Sequence, residues 1–77
     1  MNKVIIKGTV TWADGQWFTV NIKDNKKKKG IDVHCYLSNF TAIFEDDLVL
    51  VEGHLVATDI GANIFYVDEI TILNRAK

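Results

Sequence analysis

Along most of this chain apolar and polar residues alternate with a period of two, the signature of strands that turn one face to a core. Val4, Ile6 and Val10 alternate with Lys3, Lys7 and Thr9. Gly8 lies inside that run, where a glycine predicts a bulge or tight bend. Ala13-Asp14-Gly15 predicts a hairpin turn, because Asp and Gly adopt the dihedral angles such turns need. From Gln16 to Lys23, Phe18, Val20 and Ile22 point one way, and Trp17, Thr19, Asn21 and Lys23 point the other. A polar stretch from Asp24 to Gly30 predicts a loop. Ile31 to Leu37 alternates again, with Ile31, Val33, Cys35 and Leu37 inward and Asp32, His34 and Tyr36 outward.

Period two then breaks. Ser38 suits a helix N-cap, and Phe40, Ile43 and Phe44 stand at helical spacing. The acids Glu45-Asp46-Asp47 suit a helix end poorly and read as an exposed turn, so the expectation is one short helix or helical turn. Leu48 to Thr58 predicts a long strand with a kink at Glu52-Gly53. Asp59 to Asn63 predicts a short hairpin connection, and Ile64 to Leu73 the last strand. Ile64 to Val67 is apolar on both faces, which suggests burial by a second surface.

Three strands, a short helix and two strands, with glycine kinks inside the strands, fit an all-β, five-stranded Greek-key barrel of the oligonucleotide/oligosaccharide-binding (OB) type. An SH3-like barrel is the rival, but it usually lacks an element between strands three and four. Seventy-seven residues make one domain, 1–77, with no internal repeat or linker.

Composition narrows the function. The longest wholly apolar run, Leu48 to Val51, is far below the ~20 residues that span a bilayer, so no membrane partner is expected. One cysteine forms no internal disulfide, and the start of the chain lacks a signal-peptide core, so a cytoplasmic location is expected. Charge is unevenly placed. Residues 1–30 hold seven lysines against two aspartates (+5), and residues 31–77 hold two basic residues against eight acids (−6). One basic region on a mildly acidic body follows.

Catalysis finds little support, and the chain is expected not to be an enzyme. His34 and Cys35 are neighbours on a strand, so they point to opposite faces and form no nucleophile–base pair. Cys35 falls on the apolar face as a structural thiol. His34 and His54 lack metal-ligand spacing, and the glycines are scattered, so neither metal nor cofactor is expected. Binding finds more. Trp17 and Tyr36 stand outward on strands two and three, with Thr19 and Lys23 on the same face and Trp12 bordering it. Lys26, Lys27, Lys28 and Lys29 lie in the loop joining those strands. Aromatic side chains that stack bases beside lysines that follow phosphates are what a single-stranded nucleic acid needs. The bland alternatives are a solvated lysine loop that keeps the domain soluble and aromatics that pack into a dimer interface.

These residues also carry a family resemblance. Asn2-Lys3-Val4-Ile5-Ile6-Lys7-Gly8-Thr9-Val10 resembles the opening strand of bacterial single-stranded DNA-binding proteins (SSB). Phe18 to Ile22 and Ile31 to Tyr36 are similar to their second and third strands. Leu50-Val51-Glu52-Gly53-His54-Leu55 is similar to the family's V-x-V-E-G-x-L segment, and Val67 to Leu73 to its closing strand. The resemblance implies a homo-oligomer, dimer or tetramer, that binds single-stranded DNA without sequence preference in replication or recombination. It puts Tyr36 at a base-stacking position and Lys3 and His54 at positions that are often basic; His34, outward on strand three, joins the candidate binding residues from the alternation. An Asp-Pro after strand one is missing, the helix is shortened, and the connection between strands four and five is brief. The sequence ends at Lys77 without the family's acidic tip, so recruitment of partner proteins through such a tail is not expected. These features also resemble the tailless primosomal replication relatives of SSB, and a phage or mobile-element role is equally compatible. An OB module that binds protein rather than nucleic acid is the alternative, and RNA a weaker one, since nothing here reads a 2′-hydroxyl.

Overall fold

The computed structural model describes residues 3–24, 29–39, 41–57, 59 and 63–75. Its strands are β1 (Val4–Asp14), β2 (Trp17–Asp24), β3 (Lys29–Leu37), β4 (Leu48–Ala57) and β5 (Asn63–Asn74). They close into a barrel in the order β1-β2-β3-β5-β4, with β4 pairing back onto β1. Every pairing is antiparallel except β3 with β5. This is the five-stranded Greek-key OB fold that the alternation predicts. Closure leaves no long strand edge exposed.

The alternation sets the core. Val10, Phe18, Val20, Cys35, Leu37, Val49, Val51, Phe65 and Val67 are buried together, and Ile6, Val33, Ile43, Ile70 and Ile72 pack around them. Two inward positions depart from the expectation. Val4 and Ile31 stay exposed, Ile31 by 60%. Both lie near strand starts, Val4 as the first residue of β1 and Ile31 as the third of β3.

The kinks fall partly where expected. β4 shifts register against β5 at Glu52/Gly53, but the shift in β1 lies between Val10 and Trp12 rather than at Gly8. A Cβ on Gly8 would strike the Asn21 carbonyl, so Gly8 serves the close approach of β1 to β2. The first hairpin also turns later than expected. Asp14 still pairs with Trp17, and Gly15, with φ +61°, opens the bend. Gln16 then ties this turn to the end of β3: its carbonyl accepts from Leu37 N and its Nε2 donates to Ser38 O, at 2.8 and 2.9 Å.

The expected helix between β3 and β4 is absent among the described residues. Positions 41–44 are irregular, and a turn follows at Glu45-Asp46. The backbone here closes one turn of its own, with Asp47 N donating to Phe44 O at 3.1 Å, and otherwise bonds to β1. Asp46 N donates to Val10 O at 2.7 Å, and Val10 N donates to Asp47 O at 2.9 Å. Asp47, expected in an exposed turn, is fully buried, and its carboxylate accepts from Phe44 N at 3.1 Å. Arg75 approaches that carboxylate at 3.8 Å, lies over the Phe44 ring and donates to Ala42 O at 3.2 Å. With Phe44 N bonded to the Asp47 carboxylate and Asp46 at φ 75°, outside the right-handed helical region, the segment does not continue the i→i−4 ladder of a helix.

Candidate nucleic-acid interface

Strand pairing places Trp17 opposite Tyr36, Thr19 opposite His34 and Asn21 opposite Asp32 on the outer face of β2 and β3. β1 brings Trp12 opposite Thr19. The parallel pairing of β5 with β3 brings Tyr66 opposite Tyr36, and β4 brings His54 opposite Tyr66. All five strands thus contribute to one row of rings.

The row runs Trp12, His34, Trp17, Tyr36, Tyr66, His54. Successive ring centroids lie 6.0, 5.9, 4.8, 5.7 and 5.3 Å apart. Trp12 and His34 are nearly parallel, at 11°. Trp17 against Tyr36 is tilted by 57°, which leaves part of each π-face toward solvent. Trp12 and Trp17 remain 43% and 37% exposed. Beside the middle of the row, Trp17, Tyr36, Val56, Ile64 and Tyr66 line an open groove of about 340 Å³. Ile64 and Tyr66, expected under a second surface, form this groove, while Phe65 and Val67 fill the core.

Polar partners hold the rings in place. Thr19 Oγ1 lies 3.0 Å from His34 Nδ1, fixing the imidazole that sits between the two tryptophans. His54 Nδ1 lies 3.1 Å from Asp68 Oδ2 at the far end of the row. Lys3 pairs with Glu52 at 3.6 Å. Lys3 is thus engaged by Glu52, and the His54 ring by Asp68. Lys23 is exposed on the same face as Trp17. Lys26, Lys27 and Lys28 lie outside the described residues, and Lys29 enters as the first residue of β3.

Two site features were not singled out from the sequence. Tyr66 needed the parallel β3–β5 pairing, which local alternation does not reveal, although its outward place beside Ile64 and Asp68 follows from period two. The Asn21–Asp32 pair, with Asn21 Nδ2 donating to Asp32 Oδ1 at 2.8 Å, needed the register. Cys35 lies on the opposite face from His34, in the core. Burial pushes its thiol up to about 12, far from thiolate chemistry at neutral pH. Among the described residues, no group of three or more His, Cys, Asp or Glu side chains comes together as a metal site.

No protein-family model matches the sequence, and no curated protein does either. Among solved structures, the chain is similar to the mitochondrial single-stranded DNA-binding protein Rim1 of S. cerevisiae, with a TM-score of 0.70 and 14% identity. The match covers 99% of this chain and 97% of that one. The barrel is therefore an OB fold of the kind that Rim1 has.

Proposed function

We propose that this protein binds single-stranded DNA by stacking bases along the row from Trp12 to Tyr66. The observation that carries the reading is the continuity of that row: adjacent, partly exposed rings from four of the five strands on one outer face. Stacking tolerates any base, since every base has a π-face, and contributes roughly 1–3 kcal/mol per base. Lys23 and the run Lys26 to Lys29 supply phosphate contacts, which makes binding depend on salt. The likeness to Rim1 in fold supports the same reading. A homo-oligomer acting in replication or recombination is the setting we propose.

Titration of tryptophan fluorescence with oligothymidylate at low and then high salt tests it. Quenching that weakens with salt supports the proposal, and no quenching at low salt overturns it. The second reading is an OB module that binds protein. The exposed apolar side chains Ile5 and Leu55, 59% and 54% exposed, favour it. An apolar contact persists at ionic strength that releases a phosphate binder.

A further inference from the structure

Two register steps along β2 and β3 from Trp17 and Tyr36, past Thr19 and His34, stand Asn21 and Asp32. Asn21 Nδ2 donates to Asp32 Oδ1 at 2.8 Å. Among the described residues nothing donates to Asn21 Oδ1 or to Asp32 Oδ2. The pair therefore presents two acceptors beside each other on the outer face. Its geometry rests on Gly30: a Cβ at that position would collide with the Asn21 amide, which lies over the bare glycine.

A carboxylate on a face that receives DNA repels phosphate but attracts the amino and imino groups of bases. Only one common base offers two adjacent donors on its Watson–Crick edge, the N1–H and N2–H₂ of guanine. Adenine and cytosine set a ring acceptor beside their amino group, and thymine sets its single N3–H between two carbonyls. We infer that the Asn21–Asp32 pair reads guanine, giving an otherwise sequence-tolerant binder a preferred base at one position. A base packed on the exposed part of Trp17 at the level of His34 can turn its Watson–Crick edge along the strands toward this pair, one step of about 7 Å further on. Lys23 follows at the next outward position, placed for the phosphate that Asp32 repels. A guanidinium also presents two donors, but the neighbouring lysine disfavours a cationic ligand.

The inference rests on the single-strand reading above, and its test separates the two. Oligothymidylate of about twelve nucleotides is compared with the same strand carrying one central guanine, adenine, cytosine or inosine. The guanine strand binds about five- to tenfold more tightly than its parent, the low end for a bidentate contact at a solvent-exposed site. Inosine, which lacks the N2 amino group, returns to the parent affinity. Asp32→Asn turns one acceptor into a donor and abolishes the guanine advantage even where loss of charge raises affinity for every strand. Gly30→Ala displaces the Asn21 amide and abolishes it with Asp32 still in place. Equal affinity for all strands, or a guanine advantage that survives Asp32→Asn, overturns the inference and leaves the single-strand reading intact. Failure of every strand to bind overturns both.

Discussion

Trp17 and Tyr36 face each other in register across β2 and β3, with ring centroids 4.8 Å apart, and Tyr66 continues the contact onto β5. Neither Trp17 nor Tyr66 belongs to the buried core, so each can be truncated while the barrel stays folded. Trp17→Ala weakens binding of oligothymidylate by roughly 1–3 kcal/mol, and Tyr66→Ala by a similar amount. Titration by anisotropy of a labelled strand, with folding checked by circular dichroism, reads both. A pair of folded variants with unchanged affinity removes the stacking row from the binding mechanism.

Lysine contacts leave a different trace from stacking. On a single strand, log K falls against log salt with a slope of about −0.7 per neutralised phosphate. Lys23→Glu should reduce the steepness by about 0.7, and reversal of the Lys26 to Lys29 charges should reduce it further. Trp17→Ala should lower affinity at every salt concentration and leave the slope alone. Identical slopes for the lysine variants and the parent protein would remove these side chains from the phosphate path.

Asp47 has no accessible surface, yet it directly follows two exposed acids, Glu45 and Asp46, in sequence. Its carboxylate accepts from Phe44 N and faces Arg75 from the end of β5. Asp47→Ala removes the buried acceptor of the Phe44 N–H and should cost about 1–3 kcal/mol in urea unfolding. Arg75→Ala should cost less, about 1 kcal/mol, because Arg75 is partly exposed and its charge is screened. Equal costs for the two would show that the pair, rather than the loop bond, carries the stability.

Cys35 offers a clean probe of global opening. Its thiol is wholly buried and pushed up to about 12 by burial. An aromatic disulfide reagent at pH 8 should label the unfolded chain at once and the native protein only through unfolding. The raised value also fixes the sign of a pH effect. Below pH 9 the thiol is neutral in both states and its contribution is fully present. From pH 9 toward 12 the unfolded chain ionises first, so stability falls. Cys35→Ser should remove that part of the alkaline decline, and rapid labelling of the native protein would contradict the burial.

Much of the barrel was legible in the alternation. Phe18, Val20, Cys35 and Leu37 fall inward by period two, and Trp17, His34 and Tyr36 fall outward on the same count, whereas in the apolar runs Leu48 to Val51 and Ile64 to Val67 alternation did not mark which face is the core. The helix expectation failed because the spacing of Phe40, Ile43 and Phe44 says nothing about where Asp47 sends its carboxylate. Side-chain alternation is a property of the extended backbone, so residue order alone determined which side chains share a face, and which face is the core wherever polar residues mark the other one. Strand order, register and closure depend on contacts between distant segments. Only the tertiary structure therefore decided that β5 lies beside β3, that Tyr66 and His54 extend the row, and that Asn21 meets Asp32 over Gly30. The reason is physical: a strand fixes the direction of its side chains locally, whereas its neighbours are set by closing the barrel around one core with every buried backbone group paired.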